Sequence, residues 1–390
     1  MQFFGVPFVV FGEDSLQHLE TVKGKRAFIV TDENLVRSGL VDLVAARLKQ
    51  AGFEYKIFDK VEPDPSIETV IKAKEIAQEF KPDWMIGLGG GSSMDTSKCT
   101  WICYATGLNP MDLSLSDYYN IRDTAHLICI PTTSGTGAEV TWATVLTDVK
   151  EERKLVCGSY ETMPDVAILD PVMVMGMPPK ITADTGMDAL THAIESYTTP
   201  WRTPFTDGPS LIAIDFIFRY LQKAYENGKD EESRKFMMYA ASQAGTSICN
   251  CNGGLAHSAG HSTGGLFHTP HGRAVGLYLP YTMEYSANGA GKTVSRYANI
   301  ARYCNISRDD NDEKCSKSLI AAVRKLAKSI GQPMSVKDLG IKQEDFQKNM
   351  DGLVDRAVND AMTLGADRSP DNADMEKIFA YAYNGKSVDF

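Results

Sequence analysis

Residues 83–98 read DWMIGLGGGSSMDTSK. The apolar run WMIGL leads straight into three consecutive glycines, and the residues after them carry no helix breaker. Strand, glycine turn, helix is the layout of a phosphate-binding turn in a parallel α/β sheet. Glycines let the backbone approach a ligand, and the N–H groups of the turn and of the next helix start face one spot. Gly89, Gly90 and Gly91 are therefore candidate pyrophosphate-binding residues. The loop lacks the Gly-Lys-Ser/Thr ending of a P-loop. It fits the dinucleotide fingerprint only loosely, as Gly87, Gly89 and Ser92.

Outward from that turn, short β-branched runs mark further strands: RAFIVT (26–31), EYKIF (54–58), HLICIP (126–131) and VAILDP (166–171). SIETVIKAKEIAQEF (66–80) places Ile67, Val70, Ile71, Ala77 and Phe80 at helical spacing, behind a serine start and before Pro82. This alternation predicts a doubly wound α/β domain whose parallel sheet is covered by helices on both faces. A second loop rich in glycine and hydroxyls, PTTSGTGAEVT (131–141), also follows a strand, so the two loops are expected to flank one crevice. AFIVT ends in TDEN without a glycine. Its Asp32 is placed to accept hydrogen bonds from a ribose, and a carboxylate there repels a 2′-phosphate, favouring NAD over NADP.

Pro178 and Pro179, in MVMGMPPK (173–180), punctuate a change of character. The chain beyond them reads as helices. CSKSLIAAVRKLAKSIG (315–331) is the clearest, with Leu319, Ile320, Val323, Leu326, Ala327 and Ile330 on one face and Gly331 as its cap. The expected organisation is an α/β dinucleotide-binding domain over residues 1–178 and an all-helical domain over 179–390.

The 390 residues are 43% hydrophobic and 23% charged, which excludes a disordered or fibrous chain. A net charge of −10 without a long basic block argues against nucleic acid or an anionic membrane as partner. Eight cysteines, none in Cys-x-x-Cys spacing, point to a reduced cytoplasmic protein rather than a disulfide framework. The apolar start MQFFGVPFVVFG has neither a positively charged lead nor a small-residue cleavage site, so no signal peptide is expected. No run of about 18 apolar residues marks a membrane span.

Five of the seven histidines fall between 192 and 271. GMDALTHAIESY (186–197) puts Asp188 and His192 four residues apart, on one face of a helix. In GLAHSAGHSTGGLFHTPHG (254–272), His257 is placed to supply a third ligand from another helix and His271 a fourth from the loop after it. One carboxylate and three imidazoles suit Zn²⁺ or Fe²⁺. Ser258 follows His257, so the HExxH metalloprotease pattern is absent.

Taken in order, VTDENL (30–35), GGGSSMDTSK (89–98), PTTSGTGAEVT, AILDP (167–171), GMDALTHAIESY and the AHSAGH…PHG segment resemble the iron-dependent, or group III, alcohol dehydrogenases over nearly the whole chain. Within that family the sequence is most similar to the lactaldehyde, propanediol and butanol dehydrogenase group. The resemblance implies an α/β dinucleotide domain, an all-helical metal-binding domain, NAD(P), one divalent metal and a homo-oligomer, dimer or larger. It implies Asp188, His192, His257 and His271 as metal ligands. It makes His261 a proton-relay candidate near the nicotinamide. Gly89, Gly90, Gly91 and Ser92 match the pyrophosphate loop, Asp95, Thr132 and Thr133 match further cofactor contacts, and Lys154 matches a lysine near the nicotinamide ribose. Ala143, Ile248 and Gly253 fall at positions that line the substrate pocket, and the first and last are small, which implies a wider or reshaped pocket. TTPWRTPFTDG (198–208) inserts Trp201 and Arg202 where the family has small residues, and DRSPDNAD (367–374) replaces its asparagine-proline-arginine pattern.

The expectation is an NAD(H)-linked, metal-dependent alcohol dehydrogenase or aldehyde reductase acting on a small primary alcohol or aldehyde. One alternative is a metal- and NAD-dependent cyclase of the dehydroquinate synthase type, which uses a glutamate and two histidines. Another, prompted by Arg202, is a reductase of a small anionic aldehyde. A third, a nucleotide-binding regulatory protein with a dead site, is disfavoured by the complete ligand and loop sets.

Overall fold

The computed structural model describes residues 4–390 apart from Ser116, Glu152 and Ala290. The chain divides into two compact units, Met1–Met177 and Pro178–Phe390.

The first unit contains β1 (Phe8–Phe11), β2 (Arg26–Val30), β3 (Glu54–Phe58), β4 (Trp84–Gly89), β5 (His126–Pro131), the hairpin β6 (Thr144–Asp148) and β7 (Arg153–Cys157), and β8 (Val166–Leu169). Its helices are α1 (Glu33–Arg37), α2 (Leu40–Gln50), α3 (Ile67–Phe80) and α4 (Gly91–Thr106). The main sheet runs β1-β8-β5-β4-β2-β3, and all its pairings are parallel. RAFIV, WMIGLG and HLICIP are buried over all but their first residue, because an interior parallel strand has both faces covered. Phe28, Val30, Met85, Leu127 and Cys129 pack with Trp101 and Ile102 of α4 to form the core on one side. β2 has β3 on one side and β4 on the other, so the winding reverses there. The turns after β2 and β4 therefore lie at the switch point of the sheet, where ligands of such folds bind.

α3 follows the expected span, with the Ser66 side chain accepting from Thr69 N–H at its start. Two features go beyond the sequence reading. FVVF, read only as an apolar start, forms edge strand β1 against β8. TVLTD and RKLVC form an antiparallel hairpin that the reading passed over.

The second unit holds α5 (Pro179–Thr198), α6 (Pro204–Glu226), α7 (Glu231–Cys249), α8 (Leu255–Phe267), α9 (His271–Ala287), α10 (Thr293–Tyr303), α11 (Asp312–Ser329), α12 (Gln343–Lys348), α13 (Met350–Val358) and α14 (Asn372–Asn384), with no strand among the described residues. α5 is buried around nearly its whole circumference from Thr182 to Tyr197, so it shows no amphipathic stripe. Small residues let its neighbours approach. A Cβ at Gly186 would meet Leu221 Cδ1 at 2.2 Å, and one at Gly272 would meet the Asp184 carbonyl at 2.3 Å. α11 starts three residues earlier than its apolar face suggests, because Asn311 caps it by accepting from Lys314 N–H. Gly331 follows its end at φ +69°. Among the described residues no helix is long and apolar enough to cross a membrane.

Candidate functional site

Asp188 and His192 project from the third turn of α5 onward, His257 from the first turn of α8, and His271 opens α9 directly after Pro270. His271 thus sits on a helix start rather than in the loop before it. One ligand atom from each of the four residues lies within 4.8 Å of all the others. Around Asp188 Oδ1, the Nε2 atoms stand at 3.2 Å (His271), 3.9 Å (His192) and 3.9 Å (His257). Asp188, His192 and His257 are buried, while the His271 side chain is 43% exposed, so the cluster opens on that side.

Asp188 Oδ1 and His257 Nε2 are buried with no hydrogen-bond partner. An unsatisfied buried polar atom costs about 1–3 kcal/mol, so such a pair persists where something else satisfies it. Converging lone pairs of one carboxylate oxygen and imidazole nitrogens fit a divalent cation of borderline softness. The electrostatics agree. Against the effect of burial, the imidazoles of His192, His271 and His257 hold the Asp188 carboxyl well below its usual range. Burial pushes His192 down to about 4, despite Asp188, so its ring is neutral at pH 7.

Two further carboxylates stand behind this cluster. Glu195, also on α5 and buried, accepts from Gly254 N–H at 2.8 Å and Ala256 N–H at 2.7 Å, and its Oε2 lies 2.5 Å from His257 Nδ1. Asp360 Oδ2 lies 2.9 Å from His261 Nδ1. The His261 ring stacks on His271 with centroids 5.2 Å apart and meets His257 edge-on at 5.8 Å. His261 is therefore beside the cluster but outside the four-residue donor set. The sequence reading missed both carboxylates. Glu195 had a signal, lying seven residues after Asp188 and so on the same face of α5. Asp360 had none, being 99 residues from its partner.

In the first unit the glycine turn and the second loop come together. Gly89 has φ +150°, and a Cβ there would strike Ser93 Oγ at 2.5 Å. A Cβ at Gly90 would meet Thr133 at 3.3 Å, and one at Gly91 would meet Thr136 at 3.1 Å. Thr132 N–H donates to the Gly89 carbonyl at 2.9 Å. Gly90 caps α4 without a side chain, and Ser92 lies in its first turn, so the N–H groups there face a cradle that side chains would fill. Asp95 accepts from Val145 N–H at 3.0 Å and so ties α4 to β6. Buried Lys98 donates to Thr141 Oγ1 at 3.0 Å and the Ala143 carbonyl at 3.3 Å, fastening the second loop to the same helix. Lys154, on β7, donates to Asp64 and to Thr147 Oγ1. Asp32 follows β2 and caps α1, its Oδ1 accepting from Asn34 N–H at 2.8 Å and Leu35 N–H at 3.2 Å. Leu35 in turn lies 3.3 Å from the position of a Cβ at Gly89, which puts this turn beside the glycine loop.

Of the three positions expected to line the substrate pocket, Ile248 and Gly253 are neighbours: a Cβ at Gly253 would be 3.4 Å from Ile248 Cδ1 and 2.7 Å from Met362 Sδ. Ala143 belongs to the first unit. Arg202, the ground for an anionic substrate, is paired with Asp207 at 2.9 Å, and Asp207 also takes Arg296 at 2.6 Å. Its charge is already answered, so that alternative loses its basis.

Comparison with known proteins gives a consistent result. The family model described as iron-containing alcohol dehydrogenase matches residues 7–171, and the model of the C-terminal part of that family matches residues 182–383. The chain is 41% identical over 386 residues to an NADPH-dependent butanol dehydrogenase from Clostridium saccharobutylicum, covering 98% of each protein. A crystal structure of 1,3-propanediol oxidoreductase superposes with a TM-score of 0.90 at 31% identity, over 98% of this chain and 100% of that one. Sulfoacetaldehyde reductase from Bifidobacterium kashiwanohense, solved with NAD⁺, gives 0.88 at 26% identity over 98% of this chain and 99% of that one. The cyclase alternative does not fit either, since the cluster is one aspartate and three histidines. On both halves of its length, the chain belongs to the iron-containing alcohol dehydrogenase family.

Proposed function

We propose that this protein is a metal-dependent, NAD(H)-linked alcohol dehydrogenase that interconverts a small primary alcohol and its aldehyde. The observation that carries the reading is the cluster itself: Asp188, His192, His257 and His271 converge within 4.8 Å, with buried lone pairs left unanswered. Those four residues would hold one Fe²⁺ or Zn²⁺. A divalent ion supplies Lewis acidity toward the alcohol or carbonyl oxygen, and NAD⁺ supplies the hydride acceptor. The balance is alcohol plus NAD⁺ giving aldehyde, NADH and a proton.

The chain's own residues do the rest. The cradle at Gly89, Gly90, Gly91 and Ser92 binds the pyrophosphate with backbone N–H groups and the start of α4. Thr132 and Thr133 close that loop from the other side, and Asp95 and Lys98 keep it in register. Lys154 serves the nicotinamide ribose. Asp32 is the NAD-selecting residue at the sheet's switch point. His261, its Nδ1 engaged by Asp360, offers Nε2 to carry the alcohol proton toward solvent. Ile248 and Gly253 shape the substrate pocket in the second unit, with Met362 beside the last. A cytoplasmic homo-oligomer completes the proposal.

The test is a panel of short alcohols with NAD⁺ or NADP⁺ and added Fe²⁺ or Zn²⁺, following NADH or NADPH. Turnover of a primary alcohol with NAD⁺ supports the reading. Exclusive use of NADP⁺, as the name of the butanol dehydrogenase relative suggests for that enzyme, would remove the role given to Asp32. No turnover with any alcohol would remove the proposal.

A further inference from the structure

We propose that Glu195 is the positioning residue of the metal centre. Its carboxylate fixes the tautomer and ring plane of His257 and places a negative charge behind that ligand. The inference rests on the metal-binding reading above and deepens it.

Glu195 is 7% exposed, yet its two oxygens meet three donors. Gly254 N–H and Ala256 N–H can only donate, at 2.8 Å to Oε2 and 2.7 Å to Oε1. They pin the carboxylate across the start of α8, where the helix dipole also favours negative charge. With the carboxylate so fixed, His257 Nδ1, 2.5 Å from Oε2, carries the ring proton and donates. The lone pair then falls on Nε2. That atom is the buried one without a hydrogen-bond partner, 3.9 Å from Asp188 Oδ1. One side chain therefore decides which nitrogen of His257 faces the centre. A carboxylate partner also makes the imidazole a stronger donor toward a cation.

The local sequence makes room for this. A Cβ at Gly254 would stand 3.0 Å from Glu195 Oε1 and 3.1 Å from its Cδ. Gly254 has φ −157°, an ordinary extended value, so space rather than backbone freedom explains the glycine. Gly254→Ala would displace the carboxylate without removing it.

The experiment uses the full chain, stripped of metal and checked for fold by circular dichroism. Zn²⁺ affinity is measured by competition with a chromophoric chelator, and Co²⁺ absorption bands report ligand geometry. The wild type is expected to bind one ion per chain. Glu195→Ala should bind about 10- to 100-fold more weakly with shifted Co²⁺ bands. Glu195→Gln should lose less, because its amide oxygen still accepts from His257, although its NH₂ cannot accept from Ala256 N–H. Gly254→Ala should weaken binding with Glu195 intact. If Glu195→Ala does not fold, the Gln and Gly254 variants decide. Folded variants with wild-type affinity and unshifted Co²⁺ bands would overturn the inference and leave the metal reading standing. A wild type that binds no ion would overturn both.

Discussion

His271 stands apart from the other candidate ligands in being 43% exposed at its side chain, at the open side of the cluster. Removing it opens no buried cavity, so His271→Ala should change the stability of the metal-free protein by less than about 0.5 kcal/mol. The same change removes one of the four proposed donors. Metal analysis after dialysis should find the ion largely lost and alcohol oxidation abolished; full metal content would contradict the assignment. His261→Ala should behave oppositely, keeping one ion per chain while kcat falls by about 10²-fold, the lower end of general acid–base contributions. Asp32→Gly should raise the kcat/KM ratio of NADP⁺ to NAD⁺. Asp32 also caps α1, but glycine is a tolerable cap, so the stability loss should stay at a few tenths of a kcal/mol. At this scale the clustering of Asp188, His192, His257 and His271 was legible because an i, i+4 pair and a dense histidine run survive in the linear sequence. Glu195 and Asp360 were not singled out, since a carboxylate that serves another side chain leaves no spacing rule of its own.

Strand–turn–helix units were the most legible elements. HLICIP became β5 at the expected residues because an interior parallel strand carries a continuous apolar run, whereas EYKIF became β3 as a largely exposed edge strand with only Phe58 buried. β1 and the β6–β7 hairpin escaped because their pairing depends on distant or neighbouring partners more than on local pattern. The glycine turn is the proposed pyrophosphate cradle. Gly89 takes φ +150°, which L-residues rarely adopt, and leaves no room for a Cβ against Ser93. Gly89→Ala should therefore raise the KM for the nicotinamide cofactor by about 5- to 150-fold, a loss of order 1–3 kcal/mol from displaced backbone. Zn²⁺ affinity, which depends on the other unit, should stay unchanged. An unchanged cofactor KM would deny the turn its phosphate-binding role.

For the whole molecule, fold class was legible because alternating elements and then helices alone dictate it, whereas strand order was not: the neighbours of β2 follow from winding, not from any residue. Acid sensitivity is also a property of the whole chain. In the metal-free protein burial holds His192 down to about 4 from its usual 6.5. Between those values the unfolded chain binds a proton that the native form refuses, so stability falls as pH drops through that window. Despite burial, Glu195 holds His257 above its usual value, which adds stability at low pH and loses it as pH rises through the raised value. The Tm of the metal-free form should therefore fall between pH 6.5 and 4.5, and His192→Asn should flatten that fall; a parallel fall in the variant would remove His192 as its cause. The central claim, that four converging side chains hold the ion on which alcohol oxidation depends, is tested most directly by titrating metal-free protein with Fe²⁺ or Zn²⁺ in the presence of NAD⁺ and a short primary alcohol. The account predicts no NADH at the start and a rate that rises to a plateau at one ion per chain. Full turnover before any ion is added, or no turnover at saturation, would contradict it.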